Sequence, residues 1–204
     1  MDSPSDGEAI ALDANCCIKH ALSLGQIGDR VVHDFLTAPI RLFIDRSLQC
    51  RVVVGYFALN RGEAERNIVR AVNQLAQDRG VSSPYTAMRF KDRASDNLNR
   101  LFSRLVEFPY HVSQKEFDDA KNFFRDHQVD LFSRTGVRKP DNMPDDNDIR
   151  LLVATCKLPN PRRMILTEDV DLWGYAEEIS ASTYQVEIIA ARDLSKHFHE
   201  WGWH

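Results

Sequence analysis

Glu8-Ala-Ile-Ala-Leu-Asp13-Ala-Asn-Cys-Cys-Ile18 begins as an apolar run and continues as the first turns of a helix, with an aspartate at the joint. An apolar run of this length bounded by a helix reads as a strand buried on both faces. Residues 8–13 are therefore expected to be a strand and 14–24 the helix behind it. The same alternation recurs downstream. Arg51-Val-Val-Val-Gly-Tyr-Phe57 has the β-branched and aromatic content of a strand. An amphipathic helix is expected from about Gly62 to Asp78, with Gly80 as its stop. Strand 163–167, helix 172–180 and strand 183–189 close the series. Strands separated by helices with short connections predict an α/β fold with a mostly parallel sheet covered on both faces.

The remaining segments are less regular. A helix is expected over roughly 28–38, stopping near Pro39, with another short one running to about Gln49. Val81–Ala87 reads as loop and 89–106 as a helix bearing several arginines. Ser113-Gln-Lys-Glu116 is a capping box that opens a helix through Phe117, Ala120, Phe123 and Phe124. Ser133–Asn147 reads as loop, and a helix from Asp148 to Leu158 ends before Pro159 and Pro161. A last short helix begins near Asp193. Residues 1–7 read as a disordered lead and 8–204 as a single domain.

Composition narrows the function. Apolar residues are 43% and charged residues 27% of 204, ordinary for a soluble globular chain. No apolar run reaches the length of a membrane span, and the N-terminus lacks the basic and apolar regions of a secretory signal. A net charge of −4 excludes a polyanion binder held by bulk positive charge. Cys16, Cys17, Cys50 and Cys156 show no Cys-x-x-Cys spacing and read as buried reduced thiols, which favours a cytoplasmic location. There is no Gly-x-Ser-x-Gly, Walker-type loop or dinucleotide glycine motif. His197, His199 and His204 alternate with Phe198, Trp201 and Trp203 without zinc-motif spacing. They are read as a terminal helix docking its aromatics.

Acidic residues at the edges of apolar segments carry the chemistry. Asp13 ends the first strand and either caps the next helix or faces a site. Asn15 can bond nearby backbone or a metal-bound water. On the helix after residue 62, Val69, Val72 and Ala76 fall near the direction of Glu65 at 3.6 residues per turn, so Glu65 is the expected inward carboxylate and Glu63 the alternative. Asp148 heads a stripe of Leu151, Leu152, Thr155 and Cys156. Asp169 and Asp171 follow Ile165-Leu-Thr167, and Thr167 can orient Asp169 through its hydroxyl. Buried carboxylates are costly unless a cation gathers them. In open parallel sheets ligands bind beyond the carboxyl ends of the strands, where Asp13 and Asp169 are both expected.

Leu12-Asp-Ala-Asn15, an inward Glu on a mid-chain helix, Asp148-Ile-Arg-Leu-Leu-Val-Ala154 and Ile165-Leu-Thr-Glu-Asp-Val-Asp171 together resemble the PIN-domain nucleases, in order and segment type, from about residue 8 to 190. The resemblance implies a three-layer α/β/α sandwich with a central parallel sheet. It also implies Mg²⁺ or Mn²⁺ at Asp13, Glu65, Asp148 and Asp169, and cleavage of RNA. The chain departs from the compact toxin members of that family by a helical insertion around 80–140. It departs also by Arg61-Gly62 ahead of the glutamate helix.

The expected activity is thus a metal-dependent endoribonuclease hydrolysing phosphodiester bonds. Asp13 and Asp169 would be the main ligands, with Asp171 taking a metal, positioning a water or only capping a helix. Glu65 and Asp148 would bind a second ion or orient water, and Asn15 and Thr167 would support them. Single-stranded RNA would be met by Arg89, Lys91, Arg93, Arg100 and Arg104, with Arg138 and Lys139 in a loop. The same segments read equally as a solvated, internally paired face. Three alternatives stand beside the nuclease: a toxin paired with an antitoxin-like protein, a non-catalytic RNA- or protein-binding module, and a phosphohydrolase of small esters. A homodimer is compatible with each.

Overall fold

A computed structural model describes residues 7–23, 26–27, 30–31, 37–49, 52–81, 83–138 and 142–200. Residues 1–6 of the expected lead, Lys139, Cys50 and the terminal Trp201, Trp203 and His204 lie outside them. The elements run β1 (Glu8–Leu12), α1 (Ala14–Ser23), β2 (Gln26–Ile27), β3 (Arg30–Val31), α2 (Thr37–Ser47), β4 (Val53–Tyr56), α3 (Ala58–Asp78) and α4 (Pro84–Arg104). They continue with β5 (Val106–Glu107), α5 (Gln114–His127), α6 (Leu131–Thr135), α7 (Asp146–Cys156), β6 (Arg162–Thr167), α8 (Val170–Trp173), α9 (Ala176–Ala181), β7 (Val186–Ala190) and α10 (Leu194–Glu200).

Five strands form one sheet in the order β5-β4-β1-β6-β7, parallel at every pairing. β1 is central, and its side chains alternate between two cores as strand geometry requires. Ile10 and Leu12 join Ile18, Phe43, Ile68 and Leu98 of α1–α4. Ala9 and Ala11 face Phe124, Leu152, Tyr175 and Ile179 on the other side. Helices cover both faces, giving a three-layer α/β/α sandwich. The chain builds β1, β4 and β5 outward, then crosses beneath to β6 and β7. Strand order therefore reverses between β1 and β6, the point at which open parallel sheets place a ligand crevice, beyond the carboxyl ends of the strands.

Several local expectations are corrected. Residues 30–31, inside an expected helix, instead pair with 26–27 as a short antiparallel ribbon. Pro39 lies in the first turn of α2, where its missing N–H has no intrahelical partner to lose, so it opens a helix rather than ending one. α4 starts at Pro84, capped by Ser83, five residues before the expected start. Leu131–Thr135 forms α6, which runs into the start of the expected loop. β5 was not foreseen because two exposed residues carry no periodicity. It pairs with β4 at Gly55, where a Cβ would run into the Val106 carbonyl oxygen and the Phe108 ring.

The capping box forms as expected, Ser113 accepting from the Glu116 amide and Glu116 from the Ser113 amide. Phe198 of α10 packs against Phe43, so part of the aromatic C-terminus does dock on the core. Cys16 and Cys17 are buried free thiols. Among the described residues no helix is long and apolar enough to cross a membrane.

Candidate acidic site at the carboxyl edge of the sheet

β1 ends in Asp13, whose amide extends the ladder to the Leu166 carbonyl at 3.0 Å and whose carbonyl accepts the first bond of α1 from Cys17. Held at both backbone groups, Asp13 is only 4% exposed. Thr167, the last residue of β6, donates its hydroxyl to Asp13 Oδ2 at 2.9 Å and accepts the Asp169 amide at 2.9 Å. Asp169 in turn caps α8 by accepting from the Asp171 amide.

A third segment arrives from α7. Asp145 caps it, accepting from the amides of Asn147 and Asp148, and this frees the Asp148 carboxylate to turn inward. Asp148 is 6% exposed, and its Oδ2 has no hydrogen-bond partner among the described residues. Asn147 donates its side-chain N–H to Glu63 of α3 at 3.1 Å, tying the helices of opposite layers across the crevice.

These acids act on one another's ionisation. Burial pushes the Asp13 carboxyl from 3.8 up to about 7, with the charges of Glu63 and Asp169 adding to it and the Thr167 bond opposing. Asp148 is driven well above the carboxylate range, first by burial, then by Asp13, Asp169 and Asp145. Glu63 is raised by burial, then by Asp145 and Asp169, against the bond from Asn147. A group of carboxylates that suppress one another's ionisation is a site that favours a cation or a proton.

Glu65 does not belong to it. Its side chain is 45% exposed and accepts from Arg61 Nε at 2.8 Å. Glu65 falls outside because the buried row of α3 follows an i, i+4 ridge, Asn60, Ala64, Ile68, Val72 and Ala76. Such a row is inclined to the helix axis. Extrapolating from Val72 and Ala76 back to the first turns therefore points to the wrong side, and Glu63, beside Ala64 and Asn60, faces the crevice. Asp145 and Asn147 were also missed as site residues. Their signal was the spacing of a helix cap, Asp145 three residues before Asp148.

The other expected residues divide. Asn15 is exposed at the start of α1. Asp171 is buried, and its charge acts on the Tyr175 phenol within the layer of α8 and α9. Arg61 lies over the Phe102 ring, so the last turns of α4 adjoin the first turn of α3. Arg89, Lys91 and Arg93 are exposed roughly 15–20 Å further up the helix, away from the acids. Arg100 is exposed, Arg104 pairs with Asp45 at 3.1 Å, and Arg138 lies over Phe132.

The donor chemistry suits a hard divalent cation: carboxylate oxygens from four chain segments, one of them buried without a partner among the described residues. Their spacing is looser than a closed site. Among the described residues no group of three or more His, Cys, Asp or Glu side chains stands ready to hold a metal ion. An ion would have to draw the side chains inward. No family model matches the chain, and neither a curated protein nor a solved structure matches it.

Proposed function

We propose that the crevice is the centre of a divalent-cation-dependent hydrolase of phosphodiester bonds, with RNA as substrate. The observation that carries this reading is the Asp148 Oδ2, buried with no partner among the described residues, beside Asp13, Asp169 and Asp145, with Glu63 acting on Asp13. An uncompensated carboxylate oxygen in a low-dielectric crevice costs stability, and a bound cation removes that cost. Mg²⁺ or Mn²⁺ would be held by Asp13, Asp148 and Asp169, with Glu63 replacing Glu65 as the fourth acid. Such an ion supplies charge neutralisation and an activated water. The chain's own part is positioning. Thr167 holds Asp13 and the Asp169 backbone in one register, and Asn147 holds Glu63 against α7.

A second reading, a non-catalytic RNA- or protein-binding module, is favoured by one observation: the acids as arranged do not close on an ion. Incubating labelled single-stranded RNA with the protein and Mn²⁺, Mg²⁺ or EDTA separates the two. Cation-dependent cleavage that Asp169→Asn abolishes supports the hydrolase. RNA bound intact under all three conditions supports the module.

A further inference from the structure

Arg192 stands over the indole of Trp173, its guanidinium carbon 3.5 Å from the ring centre. Both residues hang from the edge of the sheet that carries the acids. Trp173 ends α8, and its amide donates to the Asp169 carbonyl at 3.2 Å. Arg192 lies in the 3₁₀ turn Ala191–Asp193 that follows β7, and Ala190, the last residue of β7, is registered with Thr167. Two strand spacings, on the order of 10 Å, therefore separate the end of β7, two residues before this arginine, from the end of β1.

The guanidinium is fixed without being consumed. Its nearest carboxylate is Asp193, 3.8 Å from Nε, and neither Nη donates a hydrogen bond to a described residue. The side chain is 49% exposed. An arginine held on an aromatic face loses less freedom on gripping an anion than one waving in solvent, and its fork matches the oxygens of a phosphate. Of the other cations near the acids, Lys19 is engaged with Glu168 at 2.8 Å and Arg61 with Glu65, while Arg66, on the exposed side of α3, acts on Glu63. The expected basic residues at 89–93 lie at the far end of α4.

The geometry points to the Arg192–Trp173 pair as the contact that holds a backbone phosphate of a single-stranded nucleic acid beside the acidic cluster. This inference rests on the hydrolase reading, because a strand must pass the acids for the pair to meet it. A polyanion nearing five carboxylates is repelled, and one pre-oriented guanidinium at the rim offsets that repulsion on the side where the chain exits toward β7.

The test is equilibrium binding of a labelled single-stranded oligoribonucleotide, followed by anisotropy across a salt series. The full chain is used in an Asp148→Asn background with Mn²⁺ present. Arg192→Ala is expected to weaken binding roughly three- to tenfold and to flatten the log–log salt dependence by about 0.7, the loss of one phosphate contact on a single strand. Arg192→Lys should keep the salt slope while losing part of the affinity, since the charge remains and the stack does not. Arg70→Ala, an exposed charge on α3, should change neither. Unchanged affinity and slope in a folded Arg192→Ala protein overturn the inference. Weaker binding with an unaltered slope also overturns it, because that is the mark of a purely structural arginine. If the Asp148→Asn parent and the wild type both fail to bind the oligonucleotide at low salt, the hydrolase reading falls with it. That outcome is distinct from a bound parent indifferent to Arg192.

Discussion

Thr167 donates its hydroxyl to Asp13 Oδ2 across 154 positions of sequence at 2.9 Å, between the ends of two adjacent parallel strands. The bond lowers the proton affinity of Asp13, as does the Ala14 backbone, against burial and the charges of Glu63 and Asp169, and the Thr167 hydroxyl oxygen accepts the Asp169 amide. One side chain thus sets the spacing of two acids. Thr167→Val keeps the shape and removes both functions. It is expected to destabilise the fold by about 1–3 kcal/mol, the cost of unmade buried hydrogen bonds. Cation-dependent activity should fall roughly 10- to 100-fold, as for other residues that orient metal ligands. Denaturant titration and initial rates check the two numbers independently.

Glu63 and Glu65 are separated by two residues and by opposite surroundings. Glu63→Gln should lower cation-dependent cleavage at least tenfold, because it removes a charge that Asp13 experiences. Glu65→Gln should leave the rate within about twofold and the stability within roughly 0.5 kcal/mol, since an exposed i, i+4 pair contributes little. The comparison of the two rates under saturating Mn²⁺ is the measurement.

The cation-free protein should lose stability as pH rises through neutrality. The Asp13 carboxyl titrates at about 7 in the folded chain and near 3.8 when unfolded. Between those values the folded state binds more protons, so this group's contribution is fully present below 3.8 and is lost as pH climbs through about 7. At the acid end Glu116 acts oppositely. Its carboxyl is held down at about 2 by the Lys157 and Ser113 bonds, so its stabilisation is lost as pH falls from 4.5 toward 2. Melting temperature in EDTA should therefore be higher at pH 6 than at pH 8. Asp148→Asn should raise it at pH 8 by roughly 3–8 °C, on the scale of 1–2 kcal/mol for a chain of this size, and by much less at pH 5. An EDTA melting curve series across pH decides this.

Mn²⁺ should reverse the alkaline loss in the wild type. A ligand at a hundred times its dissociation constant stabilises by about 2.7 kcal/mol, which corresponds to a rise of several degrees at pH 8. The rise should be smaller at pH 5, where protons compete for the same oxygens.

The architecture was legible where one signal acted alone. Buried strands such as Ile10-Ala-Leu12 and Met164-Ile-Leu166 announce themselves by apolar composition, and Ser113–Glu116 by a local bond pattern. The end of β1 and the end of β6 could be recognised as neighbours because a parallel sheet puts strand termini together. Legibility failed where tertiary packing chose between local options. Pro39 permits both an end and a beginning of a helix. The inward face of α3 is set by an inclined ridge packed against α4 and α1, which a straight helical projection from Val72 misplaces by a few residues. Arg192 could not be found from sequence, because its partner Trp173 is 19 positions away and no motif links them.

The central claim is that acids from four segments hold one divalent cation, and calorimetric titration of the cation-free protein with Mn²⁺ at neutral pH tests it most directly. Saturable binding is predicted for the wild type, weakened tenfold or more by Asp148→Asn and unaffected by Glu65→Gln. Wild-type protein that takes up no Mn²⁺, or an Asp148→Asn variant that binds it equally well, would contradict the account.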